Sequence, residues 1–170
     1  MNALSVRART TAAEETRALA SVIGATATAG DLILLVGEMG TGKTAFAQGF
    51  GAGLGVTEQI TSPTFTIVHE YVGRLALHHL DVYRLEHLQE VADLGTAEML
   101  DEPAVMLVEW GDVILPALPA DYLEVRLAFG TADDDRLVAL TASGSRWSAR
   151  MRMIGELTAP WREQPDVTPC

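Results

Sequence analysis

Residues Gly37-Glu38-Met39-Gly40-Thr41-Gly42-Lys43-Thr44 have the types and spacing of a loop that wraps a chain of phosphates. Glycines admit backbone conformations that other residues resist, so successive N–H groups can turn inward onto phosphate oxygens. A helix beginning at the end of the loop adds free amides and the positive end of its dipole. Lys43 has the reach and charge to meet the outer phosphates, and Thr44 offers a hydroxyl oxygen, a hard ligand suited to Mg²⁺. Lys43 is also the only lysine of the chain, against eleven arginines. A planar guanidinium does not replace a compact ammonium at such a position, so a composition that otherwise avoids lysine keeps one where its chemistry is needed.

A phosphate loop works with acids that support magnesium and orient the attacking water. Glu109 closes the apolar run Ala104 to Val108, and Asp81 closes the run Leu75 to Leu80. Each also has a plain reading as the polar end of a strand. Ser62-Pro63-Thr64-Phe65 follows the first helix after the loop, where a γ-phosphate-sensing switch would sit; a simple proline turn is the alternative. His69, His78, His79 and His87 lack metal-ligand spacing and read as strand-face or surface residues. Trp110 reads as core packing, and Arg146, Arg150 and Arg152 as a solvated helix face. Guanine recognition through Asn-Lys-x-Asp is excluded, since the one lysine is already in the loop. A small-molecule kinase would bring a lid-sized insertion, and none is visible. A nucleotide-binding regulator without catalysis is the remaining rival.

The elements that must hold these residues are readable from periodicity. Asp31 to Val36 is a short continuous apolar run, the pattern of a strand buried on both faces of a parallel sheet. The loop follows it, then a helix from Lys43 to Leu54, stopped by Gly55. Before it, Leu4 to Arg9 alternates as a strand. Thr11 with Glu14 forms a capping-box pattern opening a helix that runs to Ala27. Thr64 to Tyr71 and Leu75 to Val82 read as a hairpin about Gly73-Arg74. His87 to Leu100 is helical with a break near Gly95, and Ala104 to Val108 is a second buried strand. Tyr122 to Phe129 and Leu137 to Thr141 are late strands joined by a turn at Asp133-Asp134-Asp135. Arg146 to Met153 is a short basic helix, and the last ten residues a loose tail. This predicts an α/β fold, a central mostly parallel sheet flanked by helices. Residues 1–142 form the domain and 143–170 a C-terminal extension.

With 170 residues, 48% hydrophobic and 21% charged, the chain has the composition of one globular domain. No apolar run is long enough to span a membrane, and no apolar block follows the first arginines as in a secretory leader. The single cysteine, Cys170, allows no intrachain disulfide, which fits the cytoplasm. A net charge of −11 argues against independent RNA or DNA binding, which leaves a basic footprint.

Taken together, these pieces resemble the TsaE (YjeE) family of P-loop ATPases of bacterial tRNA threonylcarbamoyladenosine biosynthesis. The residues that carry the resemblance are Gly37 to Thr44, Ser62-Pro-Thr-Phe65, His79-Leu-Asp-Val-Tyr-Arg84, Leu94-Gly95 with Glu98-Met-Leu100, and Val108-Glu109-Trp110. Their order and spacing agree with the family pattern from Thr11 to Thr141. The resemblance implies a P-loop NTPase fold and hydrolysis of ATP with Mg²⁺. It also implies action with the TsaD and TsaB proteins, so that tRNA is met only indirectly, through the complex. Residue by residue, it places nucleotide contacts on Glu38, Met39, Gly40, Thr41, Gly42, Lys43, Thr44 and Ala45. It places magnesium on Thr44, Glu109 and Asp81, with Lys43, Asp81 and Glu109 as the catalytic set. Thr64 would act in the switch, Trp110 would lie beside the nucleotide, and Thr11 and Arg136 would border the adenine. Glu38 and Met39 stand where the family usually has Asp-Leu, and Thr41 where Ala is common; these positions contribute backbone. Met99 replaces an aromatic.

Overall fold

A computed structural model of the chain describes residues 4–63, 68–83, 88–93 and 95–164. The apolar run after Gly30 becomes β2 (Leu32–Val36), all five residues buried. It lies at the centre because both of its faces are apolar and must both be covered. β5 (Ala104–Glu109) and β6 (Tyr122–Phe129) pair with it in parallel, one on each side. β4 (Ala76–Asp81) continues the parallel set beyond β5. The margins are antiparallel. β3 (Val68–Val72) pairs with β4, β7 (Arg136–Ser143) with β6, and β1 (Ser5–Thr10) with β7. Among the described residues these strands form one sheet in the order β1-β7-β6-β2-β5-β4-β3, the predicted α/β architecture with a parallel centre.

Alternate residues of the strands build two cores. Ile33, Leu35, Val105 and Leu107 face α1 (Ala13–Gly24) and α2 (Lys43–Gly53), which bring Leu19, Ile23, Phe46 and Phe50. Leu32, Leu34, Met106 and Val108 face the other way, covered by Ile114 of the 3-10 turn Gly111–Ala117 and by Met99 of α4 (Thr96–Asp101). α3 (Leu88–Asp93) precedes α4, and Gly95, at φ 74°, makes the expected break between them.

Several local expectations are corrected. The glutamate that reaches back to open α1 is Glu15: its Oε2 accepts from the Thr11 backbone N–H at 2.6 Å and from the Thr11 hydroxyl at 2.9 Å. Glu14 instead lies 3.7 Å from Arg17. α1 ends at Gly24, three residues early. The Thr26 hydroxyl takes the Ile23 carbonyl, and the Arg74 guanidinium, from the β3–β4 turn, takes the carbonyls of Gly24, Ala25 and Ala27. The segment after Ser143 forms α5 (Ser145–Ser148) and α6 (Met151–Leu157), and Trp147, Met151 and Ile154 enter the first core. Arg150 is not part of a solvated face, and Arg146, though half-exposed, is tied to the protein as well. They pair with the buried carboxylate of Asp31, Arg150 through two bonds of 2.7 and 2.8 Å. Arg152, with its side chain 92% exposed, behaves as expected. The start of the tail is laid against the edge of the sheet. Arg162 bridges to Ala8, and the Glu163 N–H donates to the Arg7 carbonyl at 3.2 Å. Residues from Pro165 onward lie outside the described residues.

Candidate functional site

The three inner strands β2, β5 and β4 end at one edge of the sheet, and their last residues deliver the site. Ligands of open parallel sheets bind at this carboxyl edge. β2 runs into the glycine loop and the loop into α2, whose first residues are Lys43 and Thr44. Gly42 stands at φ 100°, which a side chain resists. At Gly37 a Cβ would lie 2.5 Å from the Leu127 carbonyl oxygen, so only glycine lets the loop pass β6. Asp81 and Glu109 are register partners at the tips of β4 and β5. Period two puts Leu77, His79 and Asp81 on one face of β4, and Val105, Leu107 and Glu109 on the same face of β5. Both rows run from the apolar core up to an acid.

Lys43, Thr44, Asp81, Glu109 and Trp110 line one cavity of about 430 Å³, together with Met39, Gly40, Gly42, Ser62 and Tyr83. The Lys43 ammonium donates to the carbonyls of Gly37 at 2.8 Å and Glu38 at 3.0 Å, and lies 4.4 Å from the centre of the Trp110 ring. Burial pushes its pKa below the ordinary 10.5, while the carboxylates of Glu109 and Asp81 push it back up. Glu109 is 3% exposed and Asp81 8%, so their charges act in a poorly solvated space. Asp81 Oδ1 accepts from the Tyr83 N–H at 3.0 Å. Trp110 holds φ at 61°, and among the described residues no other non-glycine residue has a positive φ. Its N–H is fixed to the Leu35 carbonyl at 2.8 Å, and its ring packs on Tyr83 with centroids 5.0 Å apart. Backbone strain of this kind concentrates at functional sites.

The loop is also tied from outside. Thr41 is buried, and its hydroxyl donates to the Glu38 carbonyl at 2.7 Å. Arg136, at the start of β7, donates to the carbonyls of Thr41 at 3.2 Å and Gly40 at 3.3 Å. Its guanidinium lies 5.0 Å from the centre of the Phe129 ring. Arg9 holds Asp135 in an ion pair, and this bond keeps the Asp135 carboxyl below its ordinary range. A small cavity of about 70 Å³ joins Arg136 to Gly42, Ala45 and Asp134. Thr11 is not in it. It lines a larger groove of about 850 Å³ with Arg9, Phe129, Trp161 and Arg162, which Asp81 and Glu109 do not line. Thr64 lies outside the described residues.

His79 lies on a strand face, as its sequence position suggested, but its role beside Glu109 was missed. It is fully buried, and its Nε2 lies 3.0 Å from Glu109 Oε1. Its position two before Asp81 on a strand was the available signal, because that spacing shares a face. His78 is buried as well, paired with Glu102 at 3.2 Å on the opposite face. His87 lies outside the described residues.

The donor set of the cavity suits magnesium. A threonine hydroxyl and two carboxylates are hard oxygens, and Mg²⁺ is commonly held by one or two carboxylates with phosphates and water completing its shell. Among the described residues no cluster of three or more His, Cys, Asp or Glu forms an all-protein metal cage.

A glycine loop between the central parallel strand and its following helix, with acids on the neighbouring strand tips, places the chain in the P-loop class of α/β proteins. The family model described as "Threonylcarbamoyl adenosine biosynthesis protein TsaE" matches residues 10–138. A Bacillus subtilis protein named tRNA threonylcarbamoyladenosine biosynthesis protein TsaE is 44% identical over 140 residues, covering 82% of this chain and 87% of its own. A Streptomyces coelicolor protein of the same name is 45% identical over 127 residues, 71% of this chain and 85% of its own. The crystal structure of Bacillus subtilis YdiB superposes with a TM-score of 0.74 at 35% identity, covering 92% of this chain and 97% of that one. The chain belongs to the TsaE family.

Proposed function

We propose that this protein is the ATP-hydrolysing component of the cytoplasmic machinery that makes N6-threonylcarbamoyladenosine next to the anticodon of tRNA, acting with the TsaD and TsaB proteins. The observation that carries the reading is the convergence of Lys43, Thr44, Asp81 and Glu109 on one cavity beneath the glycine loop. In this reading the loop N–H groups and Lys43 bind the phosphates. Thr44, Glu109 and Asp81 hold magnesium, which when bound neutralises charge developing on the phosphates. Glu109 and Asp81 also orient the attacking water, with Trp110 beside the nucleotide. Arg136 and Ala45 flank the adenine, as would Thr11 from the neighbouring groove. Thr64 serves as the switch. Residues 1–142 carry the nucleotide chemistry, and 143–170 extend it.

The acidic surface supports docking on partners that hold tRNA, rather than contact with tRNA itself. No helix among the described residues is long and apolar enough to cross a membrane. Among the described residues Arg136, the arginine nearest the loop, is engaged with backbone carbonyls. A partner that supplies transition-state charge or orders the switch would then raise the rate, an effect that can reach roughly 10³–10⁵.

The test is phosphate release by the protein alone and with TsaD and TsaB, at low and high salt. Slow release alone, stimulation by the partners, and weaker stimulation at high salt are expected. Equal rates with and without partners would reject partner dependence. No release under any condition would favour a non-catalytic nucleotide-binding regulator.

A further inference from the structure

The Glu109 carboxylate is held from behind by a group with no part in the functional reading above. His79 sits one step below Asp81 in its row of β4, between that acid and the core residue Leu77. Its Nε2 is 3.0 Å from Glu109 Oε1, and both side chains are buried. A carboxylate only accepts, so the hydrogen lies on Nε2. That tautomer leaves Nδ1 as a bare acceptor, and among the described residues Nδ1 is buried without a partner. If packing alone decided the position, an aliphatic side chain would serve better, as Leu77 and Leu107 do beside it, because a half-satisfied polar group in a core is unfavourable. A local departure of that kind marks a functional neighbourhood.

We propose that His79 is a positioning residue for magnesium binding. Its Nε2–H fixes the Glu109 rotamer and occupies Oε1, leaving Oε2 as the oxygen offered to the metal or its water. Asp81 is treated alike, with Oδ1 tied to the Tyr83 N–H. Among the described residues, each acid is therefore clamped by one oxygen. Such supporting hydrogen bonds orient metal ligands and pre-organise the site before the ion arrives. The inference rests on the assignment of Glu109 to magnesium.

The experiment is calorimetric binding of ADP to the full chain, first in EDTA and then across a magnesium titration. The readout is the magnesium concentration at half effect. In His79→Ala this midpoint should rise by about tenfold or more, the usual consequence of removing such a partner. ADP affinity in EDTA should stay at the wild-type value. His79→Gln should restore the midpoint, because its amide nitrogen reaches about as far along the side chain as Nε2. His79→Asn, whose amide nitrogen reaches only as far as Nδ1, should not. Should the alanine variant fail to fold, by circular dichroism, the Gln and Asn variants decide between themselves. A wild-type midpoint in His79→Asn, or equal losses of ADP affinity with and without magnesium, would overturn the proposal. Glu109→Ala separates the two levels. If its midpoint is unchanged, the magnesium assignment of Glu109 is wrong, and the role of His79 falls with it. If its midpoint rises while that of His79→Ala does not, only the positioning role is wrong.

Discussion

Lys43 carries a double load in the site. Its ammonium is desolvated by the cavity and steadied by two carbonyls, two carboxylates and an indole face. No other lysine exists to replace it. Lys43→Ala should therefore weaken ATP binding by about 3 kcal/mol, roughly a hundredfold in Kd, the upper end for a charged hydrogen bond. Calorimetry would read this directly, and near-wild-type affinity would remove the phosphate-loop assignment. The identity of Lys43 was legible from its motif, and so were the positions of Asp81 and Glu109 at strand ends. The partner of Glu109 was not legible. A hydrogen bond between neighbouring strands depends on their register, and register is set by pairing between distant segments.

Helices α1 and α2 approach until their backbones touch, and glycines make that possible. A Cβ at Gly49 would lie 2.1 Å from the Arg17 carbonyl oxygen, and one at Gly53 2.1 Å from that of Ser21. From the other side, a Cβ at Gly24 would lie 2.2 Å from the Phe50 carbonyl oxygen. Since α2 begins at Lys43, this contact also seats the phosphate loop against the sheet. Gly49→Ala should destabilise the protein by about 3 kcal/mol, because neither backbone can yield without moving a helix. Gly155→Ala in α6 should do the reverse, stabilising by about 0.5–1 kcal/mol, since its Cβ would meet only Val6 at an ordinary 3.5 Å. Urea unfolding of the pair checks both signs. The existence of α1 and α2 was plain from periodicity and glycine placement. The C-terminus of α1 was not, because Arg74, some fifty residues along the chain, takes its last carbonyls.

Seen whole, the molecule is closed by its C-terminal segment. Asp31, buried at the entry to β2, accepts two bonds from Arg150 and one from the Thr28 N–H, and Arg146 lies 3.5 Å away. Arg150 also lies 3.9 Å from the centre of the buried Trp147 ring. The ion pair thus anchors α5 and α6 to the central strand, at the end opposite the phosphate loop. Removing one partner strands a buried charge. Arg150→Met should cost about 2 kcal/mol, below the full penalty because Arg146 and Thr28 remain. For a chain of this length that lowers Tm by about 4–8 °C. Arg152→Met, at an exposed pair, should stay within about 0.5 kcal/mol of wild type. Thermal melts of the two variants distinguish a structural anchor from a basic surface.

By itself the sequence determined most of what depends on neighbours along the chain. That includes the phosphate loop and its helix, the buried runs of β2 and β5, the turn at Gly73-Arg74, the break at Gly95, and through their order the family. Only the tertiary structure decided which distant groups meet. It showed that β1 and β7 close one margin of the sheet, that Arg136 braces the loop, that His79 holds Glu109, and that Arg146 and Arg150 reach a buried Asp31. The reason is physical. Local pattern reports which face of an element is apolar, whereas a charged or polar side chain takes its role from the partner that folding places opposite it.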